Sequence, residues 1–170
     1  MIGNAIPTIA PLTDWHDYFV AQASVSAALA GLLFVALSIN IEHILKMAWL
    51  PPRAALTMLL LVGSLIQSLI VLIPHQALSA TGIEESIATL LGWGATLYLA
   101  YAGSRVPKEF SKRTLVGNII AQFASLPAVG GAIAIALGFE GGLFALVFSM
   151  LMGIVVAFLN SWVLLVEILR

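Results

Sequence analysis

The sequence predicts an all-α, polytopic membrane helical bundle, on three grounds. Of its 170 residues, 61% are hydrophobic and only 9% are charged, whereas a soluble domain carries about 25% charged residues. The apolar residues gather in stretches of about 20, the length a helix needs to cross ~30 Å of hydrocarbon. Runs such as LLFVAL, MLLLVG and IVVAFL are apolar on all sides, where the strands of a membrane barrel would alternate apolar and polar. Water is not the main solvent of such a chain, and a soluble enzyme is excluded.

Five stretches qualify as spans, roughly 19–41, 54–74, 84–104, 115–138 and 143–166, in a single membrane domain over 1–170. No Pro-, Ser- or Gly-rich run marks a linker, and no lipidation signal is present. The first span follows a segment, residues 1–18, without Lys or Arg. The basic region of a cleavable signal peptide is therefore missing, and the span is expected to stay in the protein. Asp14-Trp15-His16-Asp17 reads as a polar, Trp-anchored interfacial segment. His16, Asp17 and His75 are conceivable ligands of a divalent cation, but they come from separate segments and match no established spacing, so no metal is assigned. Within the span, Ala23, Ala27 and Gly31 form a short ridge of small residues beside Gln22.

Pro51-Pro52 is expected to precede the second span and Pro74 to end it, with Gln67 inside. The third span is the least hydrophobic, and Glu84-Glu85 is expected at its start, where the helix dipole favours anions. Paired glutamates also occur in intramembrane CaaX-type proteases, but the Arg of that motif, four residues after the second Glu, is Thr89 here. In the fourth span Asn118, Gln122 and Ser125 lie at i, i+4 and i+7 along one helical face. Pro127 follows, which deprives the carbonyl of Phe123 of its usual partner, and Gly130-Gly131 permits close packing beyond it. The fifth span carries Ala145, Ser149, Gly153, Ala157 and Ser161, a helix-packing ridge of small residues spaced by four, and Asn160 beside it. Running in the same direction as the first span, it is expected to pack against the ridge there, or either ridge serves an oligomer interface.

The polar residues inside the spans fall into two groups. Asn118, Gln122 and Asn160 lie toward the basic ends, and Gln22 and Gln67 toward the other. Such amides either bond helices together or line a path through them. Asn160 is expected to bond Asn118 or Gln122. No Asp, Glu, Lys, Arg or His falls in the middle of a span, which argues against an ion-driven pump. The absence of Cys removes disulfides, thiolate chemistry and iron–sulfur centres, and a net charge of −1 gives no reason to expect nucleic acid as a partner. No catalytic residues and no cofactor are expected.

Lys46 and Arg53 lie in the first connection, Arg105, Lys108, Lys112 and Arg113 in the third, and Arg170 at the C-terminus. All seven basic residues then share one side, which the positive-inside rule makes cytoplasmic, with the N-terminus outside. The 108–113 stretch would also lie near anionic lipid.

The opening DWHDYFVAQASVSAALAGLLFVALSINIEHIL, the Arg53-Ala54 pair and the ending LNSWVLLVEILR together resemble a family of small bacterial membrane proteins commonly labelled "modulator of FtsH protease". The resemblance spans nearly the whole chain. It implies a multi-pass protein of the bacterial inner membrane and a partner in membrane-protein quality control, and it brings no active-site residues.

Two functions fit the sequence. The first is a non-enzymatic interaction or regulatory protein whose partner is a membrane protease or another membrane protein. The second is an oligomeric channel or uncoupled permease for a small solute or ion, lined by Asn118, Gln122, Ser125 and Asn160. The orientation has a direct test. In intact cells a thiol replacing Ala80 is expected to react with an impermeant reagent and one replacing Ser111 to remain unlabelled; the reverse pattern would overturn the topology.

Overall fold

The computed structural model describes residues 12, 14–104 and 108–168. Arg105, Pro107 and Arg170 lie outside the described residues. The order of elements is α1 (His16–Ile39), a short α2 (Ile41–Lys46), α3 (Leu50–Val71), α4 (Leu78–Ser104), α5 (Lys108–Ala136) and α6 (Gly142–Ile168), with no strand among the described residues. Four of these helices, α1, α3, α5 and α6, are long and apolar enough to cross a membrane. The stretch expected as the third span, 84–104, lies in the 27-residue α4, which is not among the four.

Several boundaries differ from those expected. Pro51 and Pro52 sit inside the first turn of α3, where a missing N–H costs nothing, and α3 ends at Val71 rather than at Pro74. The turn after it holds His75 with φ +58, a left-handed conformation. Helix α4 begins at Leu78, so Glu84 and Glu85 lie in its second turn and not at its start. Helix α5 begins at Lys108, so the backbone of 108–113 is helical and not a connecting loop. Pro127 lies inside α5 without ending it. Beyond Ala136 the chain closes α5 through Gly138 at φ +86, with the N–H of Phe139 donating to the carbonyl of Ala134, a Schellman-type stop that glycine enters without strain.

Helices α3, α4, α5 and α6 form a closed ring in which each packs on the next and α6 returns to α3. Helix α1 packs on the outside of the ring, chiefly along α3. Its buried residues are Phe19, Gln22, Ser26, Ala30 and Leu33. The ridge of Ala23, Ala27 and Gly31 is rotated away from that face, with Ala27 and Gly31 exposed. The expected pairing of the first and last helices through their ridges is therefore not found. Trp15, just before α1, meets Phe144 of α6 edge-on, with ring centroids 4.9 Å apart.

The tightest seams join α4 to α5 and α5 to α6. A Cβ added to Gly82 would overlap the backbone of Ala136, and one added to Gly131 or Gly142 would overlap the other's carbonyl. These glycines let the helix backbones touch, which supplies the van der Waals contact that holds helices together where burial of apolar area does not. On α6, Ser149, Gly153 and Ala157 are buried. Gly153 faces Ser64 of α3, where an added Cβ would lie 3.6 Å from Oγ, and Ala145 faces Gly131 of α5. Ser161 is half-buried and donates to the carbonyl of Ala157 at 2.8 Å.

Candidate functional site

The inside of the ring is mixed, with polar side chains set among buried leucine, alanine and methionine, and its outside is largely apolar. On α4 the buried residues include Thr81, Glu85, Thr89 and Thr96, which recur at helical spacing along one face, while Ile83, Ile87, Leu91 and Tyr98 point outward. Four of the residues that lower the hydropathy of α4 are thus hidden, while Glu84 is exposed. Ser64 and Ser68 of α3 and Ser149 of α6 add to the same interior.

Most of these hydroxyls are bonded to the helix backbone. Thr89 donates to the carbonyl of Glu85 at 2.7 Å, Thr96 to that of Trp93 at 2.7 Å, and Ser68 to that of Ser64 at 2.8 Å. Ser149 reaches across to the carbonyl of Ala124 on α5, and Ser125 donates back to Ala121. Threonine and serine can lie in such an interior because a carbonyl three or four residues back accepts their hydrogen bond. A few buried atoms have no hydrogen-bond partner among the described residues: both carboxylate oxygens of Glu85, Nε1 of Trp93, Oγ of Ser26, Nε2 of Gln22 and Nδ2 of Asn160.

Glu85 is the departure that matters most. Sequence reading places it at an external helix start and leaves the interior without an ionisable group. Instead its side chain is wholly buried in the second turn of α4, while Glu84 beside it is exposed. The signal in the sequence is its register, four residues from Thr81 and four from Thr89, on the face that Gly82 presses against α5. One turn inward from Glu85, a cavity of about 40 Å³ lies among all four ring helices, lined by Ser64, Gln67, Thr89, Trp93, Thr96 and Ser149 among others. Its lining is mixed, these polar side chains alternating with Leu59, Leu60, Ala124, Ala128 and Met150, and it exceeds the ~10–15 Å³ a water molecule requires, yet it is far too small for an open pore.

The amides singled out in the sequence divide between two seams. Gln122 and Thr96 are hydrogen-bonded at 3.2 Å, and Asn118 donates to the carbonyl of Ala100 at 3.3 Å, so both residues join α5 to α4. Asn160 bonds neither of them. Its Oδ1 accepts from Nη2 of Arg53 at 2.9 Å, across the seam between α6 and α3. Arg53 is in the first turn of α3, not in a connection, and its charge turns the expected amide pair into a guanidinium–amide bond. Gln67 lines the central cavity beside Ser125. Gln22 lies apart on α1, where its Oε1 is 3.5 Å from the hydroxyl of Tyr18.

His16, Asp17 and His75 do reach one pocket, of about 440 Å³, between the start of α1 and the turn after α3. Among the described residues no three His, Asp or Glu side chains are grouped to hold a metal. His16 and Asp17 only touch each other, at 3.3 Å and exposed. Comparison of the chain with family models, with curated proteins and with solved structures gives no match.

Because the Arg53–Asn160 and Thr96–Gln122 bonds lie on different seams, their losses should add. Asn160→Leu is expected to destabilise the protein in detergent by about 1.5–3 kcal/mol, the range for a hydrogen bond to a charged group. Combined with Gln122→Leu, the effects should sum to within about 0.5 kcal/mol. Coupling of 1 kcal/mol or more in chemical unfolding would return Asn160 to a shared network with Gln122.

Proposed function

We propose that this chain is a non-enzymatic, uncoupled permease for protons or another small cation in the bacterial inner membrane, with Glu85 as the binding group. The observation that carries the reading is the complete burial of Glu85 with neither carboxylate oxygen bonded within the described residues. An isolated carboxylate in a dry interior is expensive, and an ionisable group inside a membrane bundle marks an ion or proton pathway by default. A proton or a cation is what satisfies it.

The rest of the interior suits such a path. From Glu85 the polar face of α4 runs past Thr89 to the small cavity, then to the Thr96–Gln122 pair. Hydroxyls and amides with water between them relay a proton or strip a small ion in steps. The cavity admits water-sized occupants and nothing larger. The path lies within one protomer, whereas the lining expected from sequence, Asn118, Gln122, Ser125 and Asn160, called for several protomers or a dedicated gap between helices.

The reading includes five spans, with α4 crossing as well. Its 27 residues exceed the ~20 required, and its lipid-facing side is apolar. Lys46, Arg53 and the start of α5 share the end of the bundle marked by Ile39. The positive-inside rule makes that end cytoplasmic and the N-terminus external.

A second reading, the regulatory protein implied by resemblance to the protease-modulator family, rests on the exposed Ala27 and Gly31 of α1. A small-residue ridge open to lipid is where a partner helix can approach closely. Ala27→Leu with Gly31→Leu should then abolish co-purification of the membrane-anchored protease, and undiminished co-purification would remove this reading. For the permease, the test is proton uptake into liposomes driven by a potassium diffusion potential. Wild-type protein should conduct, and Glu85→Gln, matched for folding by circular dichroism, should reduce uptake at least tenfold; equal uptake by the two would sink the assignment.

A further inference from the structure

A groove of about 570 Å³ runs along the outside of the ring between α3 and α4, and it shares its inner wall with the central cavity. Leu59, Gly63, Gln67 and Gly92 line both spaces. On α3 the groove extends from Leu59 to Ile70 and on α4 from Glu84 to Ala95, about 17 Å along each helix at 1.5 Å per residue. Its size falls in the range of small-molecule sites. Gly82, Gly131 and Gly142 bring backbones together, but a Cβ built on Gly63 or on Gly92 would meet no atom within 4 Å. The missing side chains leave the wall between groove and cavity thin.

The chemistry of the lining is one-sided. Its walls are leucine, isoleucine, valine and alanine, and among the described residues the charged side chain along it is Glu84, exposed at one end, with no Lys or Arg. Gln67, which faces the groove and the cavity alike, is the polar group at depth. An occupant matched to this surface has an apolar body for the walls and a positive centre for Glu84. The phosphate of an anionic lipid would meet like charge there.

We infer that the α3–α4 groove is a lateral binding site for a lipophilic cation, taken from the bilayer with its charge against Glu84 and its apolar body along Gly63 and Gly92. The inference goes beyond the proposed permease, whose interior takes nothing larger than water; binding in the groove stands on the groove alone.

Tetraphenylphosphonium is a suitable probe, with tetraphenylborate as its anionic counterpart of the same shape. Equilibrium dialysis of the purified full chain in detergent should show saturable binding of the cation and at least tenfold weaker binding of the anion. Gly92→Leu fills the groove from an open position and should weaken cation binding at least tenfold, Glu84→Gln at least threefold. Gly130→Leu, at an exposed glycine of α5 that also has open space around it, should leave it unchanged. Equal affinity for the two probes, or wild-type affinity in a Gly92→Leu protein with unaltered thermal unfolding, would overturn the inference. So would a co-purified phospholipid that Gly92→Leu displaces in a protein that does not bind the cation, an outcome assigning the groove to an acyl chain. Glu85→Gln separates the two proposals. Cation binding that survives this change supports the groove whatever the proton measurement gives, and binding lost with Glu85→Gln but kept in Gly92→Leu overturns it.

Discussion

Helix α4 is amphipathic in the sense opposite to a helix of a soluble protein, and the architecture follows from where its polar face can go. In hydrocarbon a threonine or glutamate facing lipid is costly, whereas leucine and isoleucine facing lipid cost nothing. Burying Thr81, Glu85, Thr89 and Thr96 together requires neighbours along the whole inward face, and α3 and α5 provide them. The ring closes through α6. Three threonines and serines settle their protons on backbone carbonyls of their own helices, so the polar interior needs few bonds between helices. Glu85 has no such local solution, which sets it apart from its neighbours on the same face.

Glycines decide how tightly the ring is drawn. Gly82 against Ala136, and Gly131 against Gly142, bring α5 into backbone contact with both neighbours. The interior is consequently narrow, with room for water and not for a larger solute. Gly63 and Gly92 act in the opposite way, because nothing fills the space in front of them, and the α3–α4 side is left open toward the bilayer. The same residue type seals one seam and opens another; the difference lies in whether a neighbouring backbone occupies the vacated volume.

Ionisable groups stand near both ends of the interior, Glu85 toward the α3–α4 turn and Arg53 toward the start of α3. The Arg53–Asn160 bond ties α3 to α6 at the latter end, beneath an apolar cap of Ile44, Trp49, Leu50, Ala54 and Leu164. Helix α1 takes no part in lining the cavity. Its role in the ring is peripheral, and its exposed small residues remain open to lipid or to another helix.

Composition and the length of the apolar runs determined by themselves that this chain is all-helical with several membrane-length segments, because the cost of an unsatisfied backbone in hydrocarbon leaves a helix as the solution for a run without alternation. The small-residue spacing on the last helix also appears in the sequence, and Ser149, Gly153 and Ala157 are buried. The neighbour of each face was not legible. Asn160 meets Arg53 rather than Gln122, and the ridge of the first helix turns outward, because pairing depends on rotation about helix axes that short-range spacing does not specify. Helix starts were misjudged for a related reason. Counting inward from apolar residues put Glu84-Glu85 at an end, whereas α4 begins at Leu78 and its backbone continues through any residue whose side chain finds a place. Only the tertiary structure decided that Glu85 turns inward and Glu84 outward, since adjacent residues on a helix point about 100° apart and the contact of Gly82 with α5 selects which of them is buried.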